Sequence, residues 1–108
     1  MGKTKKTINK SSAKESYVKC AELFKIMSNE KRLQILDIIK DKEVTVNEIS
    51  DILGIRKSNT SQHLSYLRYT GIVVARRSGK NIFYKLVDPK LVEPCKILSS
   101  LKIKNILV

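Results

Sequence analysis

Tryptophan is absent from this 108-residue chain, histidine occurs once (His63) and cysteine twice (Cys20 and Cys95). One imidazole and two thiols cannot build a His- or Cys-rich metal cluster within the chain. There is no phosphate-binding glycine loop and no Ser/His/Asp set in a recognisable arrangement, and six aromatic residues offer little to line a pocket. An enzyme is therefore not expected, nor any cofactor. Two cysteines 75 positions apart do not form the disulfide framework of a small secreted domain. No apolar run approaches the ~18 residues of a membrane span, and the N-terminus has no apolar signal-peptide core. Met1-Gly2 opens like a myristoylation signal, but Lys6 stands where that signal needs Ser or Thr. A cytoplasmic protein with no membrane partner is expected.

A further absence is local. Between Ile52 and Val87 there is no Asp or Glu, against seven Lys or Arg. The formal charge of +12 is unevenly spread: residues 1–14 hold five Lys and no acid, while residues 15–51 hold six bases and eight acids. The acids sit on the scaffold and avoid the segment from Ile52 to Val87. Cationic patches attract polyanions by releasing condensed counterions, so nucleic acid is the first candidate partner. An anionic membrane surface, or a merely Lys-rich exterior, is the competing reading.

The chain is long enough for one domain with a modest core. Residues 1–14 are Lys, Ser, Thr and Asn with few apolar side chains, which predicts a flexible basic arm ahead of a single domain over residues 15–108. A first helix is expected from Glu15 to Met27, with Tyr17, Cys20, Ala21, Phe24 and Met27 at helical spacing. Asn29 suits the N-cap of a second helix, Glu30 to about Lys40, whose inward stripe is Leu33, Leu36 and Ile39 or their neighbours Ile35 and Ile38. Thr45-Val46-Asn47-Glu48 fits a capping box and opens a third helix that buries Val46, Ile49, Ile52 and Leu53 and ends at Gly54.

A short link then leads to Ser58, which opens a fourth helix running to about Tyr69. Its core face is Thr60, Leu64 and Leu67; the opposite face centres on Ser58, Gln62, Ser65 and Tyr69, flanked by Ser61 and Tyr66. Small hydroxyls and an amide without any acid suit contact with base edges and phosphates. After Gly71, the runs Ile72–Arg77 and Ile82–Val87 flank Ser78-Gly79-Lys80-Asn81 and read as a hairpin. A last helix is expected from Pro89, carrying Leu91, Val92, Cys95, Leu98 and Leu101 and continuing into Ile103, Ile106, Leu107 and Val108. So apolar a terminus reads as half of an interface. The fold class is thus mainly α with a small β-hairpin wing, a winged helix-turn-helix.

Three groups of residues carry a resemblance to a known family: Leu23 to Leu36 with its Leu33-Gln34-Ile35-Leu36, then Ser58-Asn59-Thr60-Ser61-Gln62-His63-Leu64, then the wing Arg76-Arg77-Ser78-Gly79-Lys80 with Phe83-Tyr84-Lys85-Leu86. From Leu23 to Leu86 the chain resembles the ArsR/SmtB group of winged-helix repressors. The resemblance implies a homodimer that pairs its first and last helices and sets two reading helices on a palindromic operator in double-stranded DNA. It further implies repression of transcription, relieved by an inducer that the sequence does not name. Carried over by position, it places Lys57, Ser58, Ser61 and Gln62 at the DNA, and Arg76, Arg77 and Lys80 as wing contacts. Ser65 from the outer face and Asn59 from the resembling stretch complete the candidate DNA-binding set. His63 is assigned to packing or backbone bonding rather than base reading.

The departures bear on sensing. Metal-sensing members carry thiolates where Thr45 and Asn47 stand here, and of a second family metal site only Asp88 remains, against Lys90, Leu101 and Lys104. No metal is expected. Cys20 and Cys95 fall on the first and last helices and are either small buried hydrophobes or a thiol switch. Thiol-sensing members place a cysteine directly after Leu33-Gln34-Ile35-Leu36, where this chain has Asp37. The alternative to a sequence-specific repressor is a winged helix that binds nucleic acid non-specifically or docks on protein, without a sensor role.

Overall fold

A computed structural model of the chain describes residues 2–103, in two compact units, Met1–Glu30 and Lys31–Val108. The first unit is one long helix, α1 (Gly2–Met27). It starts well before the expected Glu15 and takes in the stretch read from sequence as a flexible arm. Low apolar content decides whether a segment can pack, not whether it can wind; nothing between Lys3 and Met27 is Gly or Pro, so propagation meets no breaker. Of the expected apolar face, Met27 is buried, while Tyr17, Cys20, Ala21 and Phe24 are exposed.

The second unit is built on α2 (Glu30–Ile39), which shields Ile35, Leu36 and Ile39 completely. A two-residue strand, β1 (Val44–Thr45), follows and was not foreseen from the sequence. Thr45 then caps α3 (Val46–Leu53): the Glu48 N–H donates to Thr45 Oγ1 at 3.3 Å while the Thr45 N–H donates to Glu48 Oε1 at 3.1 Å. Gly54 ends the helix at φ +65°, a left-handed conformation that a Cβ would oppose. The inward face of α3 includes Ile49 and Ser50, and the expected core residue Ile52 is 60% exposed. At ~100° per residue, Val46, Ile49, Ser50 and Leu53 form one stripe and Ile52 lies roughly a third of a turn away from it.

The link through Ile55 and Arg56 leads into α4 (Lys57–Tyr69), one residue ahead of the expected Ser58. Thr60, Leu64 and Leu67 are fully buried, as the helical spacing required. Strands β2 (Val73–Ser78) and β3 (Asn81–Leu86) form the wing, with Ser78 opposite Asn81 and a two-residue turn, Gly79-Lys80, at the tip. Gly79 takes φ +61° there. β3 is the middle strand of an antiparallel sheet ordered β1-β3-β2, β1 pairing Val44 with Tyr84 and Thr45 with Phe83.

Beyond the sheet, Asp88 accepts a hydrogen bond from the Lys90 N–H at 2.9 Å and opens a 3-10 turn over Pro89–Val92, followed by α5 (Glu93–Ser99). The last helix stops there, short of the expected run through Leu101 and Ile103. Ser99 and Ser100 turn their hydroxyls back on the Lys96 and Ile97 carbonyls, at 3.1 and 2.7 Å, where Ser competes with continued helical bonding. Ile106, Leu107 and Val108 lie outside the described residues.

Candidate nucleic-acid interface

Helices α3 and α4 meet through apolar packing and one buried polar tie. Ser50 Oγ donates to Thr60 Oγ1 across 2.8 Å, and the Thr60 hydroxyl faces the Arg56 carbonyl at 3.4 Å. Both side chains are closed to solvent, so the Ser50 hydroxyl depends on Thr60 for its acceptor. With Thr60, Leu64 and Leu67 turned inward, the helix phase is set. Lys57, Ser58, Asn59, Ser61, Gln62 and Ser65 all emerge exposed on the far side. No acid interrupts that face.

The flank of α4 carries an arrangement that sequence reading missed. The Arg32 guanidinium, from α2, lies 4.7 Å from the Tyr66 ring centroid, within cation–π range. Next to it, His63 is half-buried, and burial, followed by the repulsion of Arg32, pulls its pKa below the ordinary 6.5. That shift favours the neutral imidazole, in keeping with packing rather than phosphate binding. Arg32 lies far from α4 in sequence, so only the tertiary fold reveals this pairing.

The wing splits its candidates. Arg77 and Lys80 are exposed, and among the described residues neither has an ion-pair partner. Arg76 is engaged differently: its Nε donates to Glu43 Oε2 at 2.8 Å, and its guanidinium sits 5.0 Å from the Phe83 ring centroid. Phe83 is the cross-strand neighbour of both Arg76 and Thr45, so the appearance of β1 beside β3 brings Glu43 to Arg76. The fold thus gathers eight of the nine candidates on the reading helix and outer wing, and diverts Arg76 towards the scaffold.

The Thr45 hydroxyl is committed to the α3 cap and Asp88 to its own turn. Among the described residues, no group of three or more His, Cys, Asp or Glu is placed to hold a metal ion. Cys20 on α1 is exposed and Cys95 on α5 half-buried, both as free thiols. Among the described residues no helix is long and apolar enough to cross a membrane.

A helix-turn-helix with an antiparallel wing and an acid-free outer face is the geometry of a DNA-groove reader. Sequence comparison agrees: the family model for bacterial regulatory proteins of the arsR family matches residues 29–74. The chain is 35% identical over 94 residues to the transcriptional activator HlyU of Vibrio cholerae, covering 87% of each. The chain belongs to the ArsR family. Its fold is similar to that of the transcriptional repressor BigR from Xylella fastidiosa, with a TM-score of 0.73 and 31% identity over 82% of this chain and 91% of that one. It is also similar to the homodimeric winged helix-turn-helix DNA-binding domain of Mb0332 from Mycobacterium bovis, with a TM-score of 0.66 and 27% identity over 79% of each chain. This ArsR-family chain is accordingly a DNA-binding regulator of transcription, not an enzyme.

Proposed function

We propose that this ArsR-family chain is a homodimeric, sequence-specific repressor acting in the cytoplasm on a palindromic operator, and released from it by an inducer. The observation that carries the reading is the acid-free outer face of α4, where Ser58, Asn59, Ser61, Gln62 and Ser65 stand exposed beside Lys57. Gln62 offers an amide able to pair bidentately with adenine in the major groove, and the small hydroxyls let the helix approach closely. Arg77 and Lys80 supply sequence-independent contacts to the phosphates. Pairing of two copies is supported by exposed apolar side chains at both ends of the chain: Tyr17, Val18 and Phe24 on α1, and Ile97 and Leu98 on α5 with Leu101 and Ile103 after it.

Cys20 and Cys95 are the candidate sensor, because both are free thiols and Cys20 is exposed. Their union in a disulfide would release two protons and pass two electrons to a chemical oxidant.

The test is binding of purified protein to a duplex it selects from a random pool, against random duplex, at physiological salt. Gln62→Ala should relax base preference, whereas Arg77→Ala and Lys80→Ala should weaken both duplexes alike and flatten the salt dependence. Equal loss on both duplexes for all three variants would contradict sequence-specific reading and leave a non-specific winged-helix module.

A further inference from the structure

A cleft of about 260 Å3 opens where the first turn of α3, the reading helix and the wing converge, lined by Asn47, Ser61, Lys80, Asn81 and Tyr84 among others. We infer that this cleft seats one backbone phosphate of bound DNA, with Asn47 and Tyr84 as phosphate ligands alongside Ser61 and Lys80. The inference rests on the DNA-binding reading above and extends it to residues outside the recognition helix and the wing tip.

The chemistry of the lining selects the ligand. It offers one full positive charge, on Lys80, surrounded by neutral donors: two amides, a phenol and the Ser61 hydroxyl, with the Thr45 hydroxyl already turned onto Glu48. No carboxylate lines it. Glu48, on the same turn as Asn47, has its Oε1 drawn back onto the Thr45 N–H and Oγ1 at 3.1 and 3.0 Å. A phosphodiester carries a single negative charge and accepts several hydrogen bonds, which matches one cation plus neutral donors better than a di- or triphosphate would.

The polar groups are also available. Among the described residues, none makes a hydrogen bond to the Asn47 amide or the Tyr84 hydroxyl, although Tyr84 is half-buried and held in the sheet opposite Val44 and Ala75. The capping box uses Thr45 and Glu48 and leaves the intervening Asn47 side chain outward. Position completes the argument. Ser61 belongs to the face that meets the groove and Lys80 to the wing tip, so a strand held by both passes over the cleft between them.

The experiment uses the full chain, its selected duplex, random duplex, and a set of selected duplexes in which single phosphates are replaced by neutral methylphosphonates. Tyr84→Phe deletes one oxygen and Asn47→Ala one amide, and each should weaken both unmodified duplexes about tenfold with unchanged melting temperature. One methylphosphonate position should weaken the unsubstituted protein and make both substitutions silent. Substitutions that leave affinity unchanged, or that remain additive with every methylphosphonate, would overturn the seat. Unsubstituted protein that binds selected and random duplexes equally would overturn only the sequence-specific reading, since the Tyr84→Phe loss is still expected on random duplex. Failure to bind any duplex would overturn both.

Discussion

Ser50 and Thr60 share a hydrogen bond of 2.8 Å in the contact between α3 and α4, with neither side chain open to water. This pair joins the two helices whose relative setting determines how the recognition face is presented. Replacing Thr60 with Val keeps the shape but leaves the Ser50 hydroxyl without its acceptor in the core. The expected cost is about 1–3 kcal/mol. The double change Ser50→Ala with Thr60→Val should cost less than the sum of the single changes, because the orphaned group is gone. Urea unfolding of the four proteins measures this, and strict additivity would show that the bond does not couple the helices.

Arg76 is held by Glu43, and both are substantially exposed, so the pair contributes little to stability, within about 1 kcal/mol. Its effect should appear in DNA binding. Glu43→Gln is expected to leave the melting temperature nearly unchanged while steepening the salt dependence of binding by about one unit, as Arg76 becomes free to reach a phosphate. Arg76→Ala should weaken binding less than Arg77→Ala. The reverse order would mean that Arg76 leaves Glu43 when DNA arrives.

The folded-state pKa of His63 lies below 6.5, through burial and then through Arg32. The unfolded chain therefore takes up the proton first on acidification. Stability is fully present above about pH 6.5 and falls as the pH drops below it. His63→Gln should flatten the stability profile between pH 7 and 5, in the range where imidazole titrates. An unchanged slope in that variant would assign the acid sensitivity to other groups.

If the apolar ends of the chain are covered by a second copy, Leu98→Lys should raise the dimer dissociation constant by more than tenfold, a change of at least about 1.4 kcal/mol. Sedimentation over a range of concentrations reads this directly. A dimer indifferent to the change would place the interface elsewhere.

The thiol reading has an equally plain outcome. Under mild oxidant, operator affinity should fall and then recover with reductant, and Cys95→Ser should abolish the response. Equal affinity in all three conditions would remove Cys20 and Cys95 as a sensor.

What could be read from the sequence was whatever local chemistry decides. The α3 capping box lies within four consecutive residues, and the phase of α4 follows from Thr60, Leu64 and Leu67 alone. Ile52 was misplaced because an eight-residue helix has room for only one narrow stripe, which Ser50 joins through its bond to Thr60. β1 escaped notice because two residues have no readable period; Val44 and Thr45 become a strand only when β3 returns beside them. With β1 unseen, the Glu43–Arg76 pair was unseen too. The early end of α5 was present in Ser99-Ser100, but the apolar run on either side masked it.

The strand β1 covers β3 only at Phe83 and Tyr84, leaving Arg77, Ser78, Asn81 and Ile82 in a two-stranded ribbon. Mechanically the wing is a cantilever, broad and clamped at its root and slender towards Gly79-Lys80. Bending should concentrate in the outer ribbon, so the tip cations can follow variation in groove width without disturbing α4. On the proposed reading, a regulator built this way would keep its base-reading helix steady and give its compliance to the strands that hold phosphates.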